Sequence, residues 1–219
     1  MTTSHPEHQH AAGGAKQGAG LNRMAVNATL HCLTGCAIGE VVGLIIGTAA
    51  GLGNGVTIAV SFALAFLFGY SLSTVPLVKA GLGFVAALSV VLAADTLSIL
   101  TMEVVDNLTM AVIPGAMNAG LVNVTFWLSM ALSLAVAFVA AFPVNRHLLT
   151  RGKGHALTHH YHDAAPALVG WKRWLPTFST NALVAVIVAF MLGGLVVSVA
   201  DELGTSDGAT QAPSTHEQS

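Results

Sequence analysis

Charge is what this sequence has least of. Lysine, arginine, aspartate and glutamate make up 8% of its 219 residues, where a soluble globular domain carries roughly 25%. That scarcity excludes a soluble domain, and a net charge of −2 gives no hint of nucleic-acid binding. The two cysteines, both inside an apolar stretch, exclude a disulfide framework. Catalytic signatures are missing too. There is no G-x-S-x-G, no H-E-x-x-H, no paired-aspartate motif of an intramembrane hydrolase and no phosphate-binding glycine loop. The thiols are spaced Cys-x-x-x-Cys rather than in the redox Cys-x-x-Cys pattern. The chain is not expected to be an enzyme. No cleavable signal peptide is visible in the polar, histidine-bearing first 23 residues.

What fills the chain is apolar: 54% of its residues are hydrophobic and the mean hydropathy is +0.72. These residues fall in runs of membrane-spanning length, about 20 residues or more. Five spans are predicted, over about 24–50, 56–80, 82–112, 121–142 and 178–200. The fold class is all-α, an integral membrane bundle of five transmembrane helices over 24–200. The third span, at roughly 46 Å of helix, exceeds a hydrocarbon core of about 30 Å, so it must tilt, break or project.

Flanking segments complete the organisation. Residues 1–23 read as a disordered tail carrying His5, His8 and His10, and 201–219 as a disordered acidic tail. A basic loop over 146–176 carries His155, His159, His160 and His162. Threading five spans alternately places all eight basic residues on one side: Lys16, Arg23, Lys79, Arg146, Arg151, Lys153, Lys172 and Arg173. The positive-inside rule then predicts a cytoplasmic N-terminus and an external C-terminus in a bacterial inner membrane.

The first span carries glycine at strict four-residue spacing: Gly35, Gly39, Gly43, Gly47 and Gly51. Residues four apart lie on one helix face, so these form a smooth groove that lets another backbone approach, within the chain or in a homo-oligomer. Beside it runs a polar row, Cys32, Cys36 and Glu40. A charge near the bilayer midplane costs about 2.5–3.5 kcal/mol on insertion scales, so Glu40 is read as a cation ligand or proton carrier. The plainer reading is a neutral acid bonded to a neighbouring helix.

The third span supplies its expected partners. Asp95, Ser98, Met102, Asp106 and Met110 share one band of its surface, with Glu103 at the edge and Asn107 further out. Asp95 is expected at the depth of Glu40. Three carboxylates on one apolar helix point to an ion or proton path. Thiolate and thioether select soft ions and imidazole suits copper or zinc. His31, Cys32 and Cys36 therefore make a candidate metal site, with Met102, Met110 and Met117 offering thioethers further outward. Cysteine and methionine also serve as plain packing. The two histidine clusters are candidate loose metal-binding tracts or solvated loop residues.

The runs NATLHCLTGCAIGE from Asn27, ADTLSILTMEVVDN from Ala94, IPGAM from Ile113 and AFPVNRHL from Ala141 resemble a bacterial membrane family, the domain of unknown function 4396. The resemblance covers about residues 24–162. It implies a multi-span helical membrane domain and carries no activity or assigned site.

The leading expectation is a membrane protein that binds and transports a transition-metal cation, copper first and zinc second, between the first and third helices. The alternatives are a proton or other cation channel or transporter without metal specificity, and a non-transporting structural subunit. The lipid bilayer is the partner common to all three.

Overall fold

The computed structural model describes the backbone of residues 7–79, 81–151 and 179–210, with most side chains from Gly18 onward. It is all-helical: α1 (Glu7–Ala49), α2 (Asn54–Lys79), α3 (Phe84–Val112), a short 3-10 turn (Ala116–Asn118), α4 (Val124–Thr150) and α5 (Thr180–Thr210). Each of the five α-helices contains a stretch long and apolar enough to cross a membrane.

Several helices outrun the expected spans. Helical backbone begins at Glu7, inside the stretch expected as a tail, and no proline between there and Ala49 interrupts it. The third span neither breaks nor stops short; α3 is continuous over 29 residues, about 44 Å. α4 does not end before Pro143 but carries it and reaches Thr150. A membrane helix tolerates such a proline because neighbouring groups re-satisfy the freed carbonyl. α5 passes the expected limit at Ala200 and runs to Thr210. His155, His159, His160 and His162, and the side chains of His5, His8 and His10, lie outside the described residues.

The glycine groove is filled within the chain, by α2. Gly35 faces Gly69, Gly39 faces Ala65, Gly43 faces Ser61 and Gly47 faces Thr57. Each step of four along α1 is matched by a step of four backward along α2, so the two helices are antiparallel in fixed register. A Cβ added at Gly39 would meet the Leu64 carbonyl carbon at 2.7 Å, and one at Gly43 the Ser61 Cα at 2.5 Å. Such closeness lets backbones exchange dispersion contacts, which drive helix association where lipid is as apolar as protein.

Gly51 departs from the expected row. It is exposed, at φ +62°, with nothing near its Cβ position. Its left-handed backbone ends α1: Leu52 N–H donates to Gly47 O at 2.8 Å and Gly51 N–H to Thr48 O at 3.2 Å. That pair of bonds is a Schellman cap, for which glycine is favoured. Gly81, at φ +109°, stops α2 with the same two bonds.

Turned away from α2, the rest of α1 meets α3 and α4. Cys32, Cys36, Ala65, Ile99, Met102, Ala137 and Ala141 form one buried cluster where four helices meet. α1 and α3 run parallel, and α4 runs antiparallel to both, as the pairs Glu40–Asp106 and Asn145–Ser98 described below require. α5 lies outside this core. It touches α1 and α4 chiefly through Ile187, Phe190, Met191 and Gly194, of which Phe190 and Gly194 lie against the Trp127 ring.

The described basic residues Arg23, Lys79, Arg146 and Arg151 lie at one end of the bundle, near the start of the apolar stretch of α1 and at the ends of α2 and α4. The opposite end is made by residues 50–53 and the 113–123 connection.

Candidate functional site

A row of polar side chains, interrupted by one apolar layer, crosses the interior between α1, α3 and α4. Its spacing explains it. On α3, residues 95, 98, 102, 103 and 106 recur at three and four, so they share the face turned inward. α4 presents Ser133 and Asn145 from the same kind of stripe, interleaved with Met130, Ala137 and Ala141.

At one end of the row, the Glu40 and Asp106 carboxyls lie within hydrogen-bonding reach of each other. Two like charges so close in an apolar bundle repel, so the pair calls for a shared proton or a bound cation. Ser133 Oγ donates to Asp106 Oδ1 and fixes that carboxyl in place. Glu40 Oε1 is sealed from solvent and has no hydrogen-bond partner. The pair forms part of the wall of a cavity of about 170 Å³. Thr48, Asn54, Thr57, Ser61 and Asn107 add polar lining, and Met110, Met117 and Met130 add thioethers. The cavity lies at the end of the bundle away from the described basic residues. Asn54 Nδ2 donates to Asn118 Oδ1 at 2.9 Å beside it, tying the start of α2 to the 3-10 turn.

One step deeper, Glu103 is fully buried against the Cys36 thiol. Neither of its oxygens meets a conventional donor. The Asn107 side chain donates to the Glu103 backbone carbonyl at 2.9 Å, so it braces α3 rather than the carboxylate. Below this the interior turns apolar, through Cys32, Ile99 and Met102.

At the far end of the row the polar chemistry resumes. Asn145 Nδ2 donates to Thr29 Oγ1 at 2.9 Å and to Ser98 Oγ at 2.8 Å. All three are buried, and together they tie α4 to α1 and α3. Asp95 is buried one turn away, with the Cys32 thiol as an electrostatic neighbour. From Asp95 to Asp106 the row rises about 16 Å along α3.

The expected residues are thus divided among three levels. Glu40, Asp106, Asn107 and Met110 meet at the cavity. Glu103 and Met102 lie in the middle with Cys36, and Asp95 and Ser98 lie at the far end with Cys32. Asp95 is therefore not the partner of Glu40, as equal depth along two separate spans suggested. The parallel register of α1 and α3 sets Glu40 against Asp106, and the ends of the apolar runs do not reveal that register.

The thiols lie between aliphatic neighbours and the acids Asp95 and Glu103, with Cys32 and Cys36 at 1% and 2% exposure, and neither is in a disulfide. His31 is half-buried. Among the described residues, no three histidine, cysteine, aspartate or glutamate side chains converge as a metal site. Ser133, Asn145, Thr29 and Met130 escaped the sequence reading. For the three on α4 the signal was the stripe of Phe126, Met130, Ser133, Ala137, Ala141 and Asn145, which carries no charge to draw notice.

A family model, Domain of unknown function (DUF4396), matches residues 21–154, more than half of the chain. No curated protein and no solved structure matches it. The chain belongs to the DUF4396 family, as a multi-pass membrane protein whose fifth helix lies beyond the matched residues.

Proposed function

We propose that this member of the DUF4396 family moves a cation, protons included, across a bacterial inner membrane by way of the Glu40–Asp106 pair. One observation carries the reading: two carboxyls within hydrogen-bonding reach line a cavity that opens at one end of the bundle. Acids inside a membrane are costly and tend to mark ion or proton pathways. A structural acid is expected to satisfy its oxygens, and Glu40 Oε1 and both Glu103 oxygens are unsatisfied.

The chemistry follows from the three levels. The cavity admits the ion with its water, and the acid pair exchanges a proton for it or passes a proton on. Glu103 is the next acceptor, about one turn deeper on α3. The apolar layer of Ile99, Met102 and Cys32 is the barrier, beyond which Asp95 and the Asn145 knot form the inner polar group. With the basic end cytoplasmic, as the positive-inside rule favours, the cavity faces outward. The protein then acts as a carrier or channel and not as an enzyme. A thiol metal site has less support than the acid pair, because among the described residues no three histidine, cysteine, aspartate or glutamate side chains converge as a metal site.

Reconstitution into liposomes with an internal pH dye, under an imposed cation gradient and potential, tests the reading. Flux is expected for the native protein and is expected to fall to the protein-free rate in Glu40→Gln and Asp106→Asn. Native flux in both variants overturns it.

A further inference from the structure

The acid pair has company that a proton path does not need. Three of the chain's seven methionines, Met110, Met117 and Met130, line the same cavity. They come from three separate elements: α3, the 3-10 turn and α4. Two of them flank the acids by one helical turn. Met110 follows Asp106 by four residues, and Met130 precedes Ser133, the donor to Asp106, by three. Met117 reaches the cavity from the connection between α3 and α4.

Building on the carrier reading above, we infer that the cavity binds a soft monovalent cation of the Cu(I) class, held by the thioethers of Met110, Met117 and Met130 beside the Glu40 carboxylate. Thioether sulfur is a soft, uncharged ligand that favours Cu(I) over hard cations and over zinc. The Glu40 carboxyl, which forms part of the cavity wall, supplies the oxygen donor. Binding is a ligand exchange: the ion loses water and gains sulfur and oxygen donors, with no change of oxidation state. The plain alternative is that methionine fills an irregular space.

Silver ion, a soft monovalent ion that does not change redox state in buffer, is the probe. The purified full chain in detergent, in chloride-free buffer, is titrated with Ag⁺ by calorimetry. Tight uptake is expected, weakened in Met110→Leu and Met130→Leu by at least the 10- to 100-fold typical of losing a supporting group at a metal site, roughly. A second measurement needs no variant. Peroxide oxidation followed by peptide mass spectrometry should show Ag⁺ protecting Met110, Met117 and Met130, while Met24, at the start of the bundle, is not protected. Unchanged affinity in both variants, or equal oxidation of the three methionines with and without Ag⁺, overturns the inference. The two readings fail separately. Acid-pair-dependent flux without Ag⁺ protection removes the soft-ion site alone. Ag⁺ protection with flux indifferent to Glu40→Gln and Asp106→Asn removes the carrier reading alone.

Discussion

Gly35 on α1 and Gly69 on α2 stand so close that a Cβ added to Gly35 would lie 2.6 Å from the Gly69 Cα. Contact at that distance is with backbone, which cannot rotate aside. The same holds at Gly39, whose added Cβ would meet the Leu64 carbonyl carbon at 2.7 Å. Gly39→Val should therefore push α1 from α2 and destabilise the fold by about 3 kcal/mol or more, at or above the usual overpacking range. Gly20→Ala is the control, since nothing lies within 4 Å of its Cβ position and alanine favours helix by up to about 1 kcal/mol. Denaturation of both variants in mixed micelles checks the contrast. A Gly39→Val protein as stable as Gly20→Ala would show that the register of α1 and α2 is wrong.

The zipper also shows where sequence reading stops. The glycine row on α1 was plain because glycine has one distinctive property, its missing side chain. Its counterpart Thr57, Ser61, Ala65 and Gly69 keeps the same spacing, yet serine, threonine and alanine are unremarkable in any apolar helix. The five spans were legible because length and hydropathy alone decide them. Which face meets which was not, because in a membrane both protein and lipid accept apolar groups. The acid residues were therefore found, while Ser133, which bonds Asp106, and Asn145, which bonds Thr29 and Ser98, were passed over. The pairing of Glu40 with Asp106 depends on a parallel register of α1 and α3 that only tertiary packing sets.

The acid pair should be chemically visible. A hydrophobic carbodiimide enters apolar sites and adds a carboxylic acid O–H across one C=N bond, giving an O-acylisourea whose acyl group shifts from oxygen to nitrogen to leave a stable N-acylurea. Glu40 lines the cavity, while Glu103 is fully buried away from it. Peptide mapping after treatment of the native protein should find the adduct on Glu40 before Glu103. Asp106→Asn should slow the labelling, because Asp106 no longer shares a proton with Glu40. First modification at Glu103 would place the accessible end of the row elsewhere.

The Asn145 knot is read as a clamp between α4 and the pair α1 and α3. Asn145→Leu keeps the branched shape and heavy-atom number and removes two hydrogen bonds, to Thr29 and Ser98. Thr29 retains its bond to the Ala25 carbonyl at 2.8 Å, so only part of its capacity is lost. Interhelical bonds in membranes average about 0.6 kcal/mol and reach about 1.7, so a loss of about 1–2 kcal/mol is expected. Thermal unfolding in detergent measures it. A loss above about 4 kcal/mol would mean that the knot holds more than these two bonds.

The thiols should be inert in the native protein. At 1% and 2% exposure, Cys32 and Cys36 offer no approach to a reagent the size of a maleimide. Reactivity requires an exposed thiolate, and neither condition is met among Ala65, Ile99 and Ala137. N-ethylmaleimide is expected to modify neither cysteine until the protein is unfolded in dodecyl sulfate, when mass spectrometry should count two adducts. Modification of the native protein would mean that the apolar layer opens to water, and it would no longer serve as the barrier of the row.

α5 is held to the core by a narrower contact than the other helices. Gly194 sits against the Trp127 ring so closely that an added Cβ would overlap it, and Phe190 meets the same ring edge-on at 5.5 Å. Trp127 cannot yield easily, because its indole N–H donates to the Leu121 carbonyl at 2.8 Å. Ser198 donates to that carbonyl too, at 3.3 Å, and Glu202 accepts from Val124 N–H at 3.4 Å. Gly194→Leu should detach α5 from α4 while the zipper of α1 and α2 and the acid pair of α1 and α3 persist, since neither touches Gly194. Trp127 emission should shift, and with residues 1–151 and 152–219 expressed as two separate chains, the second should no longer co-purify with the first in detergent. If the two pieces still co-purify, the hold on α5 lies elsewhere on its surface.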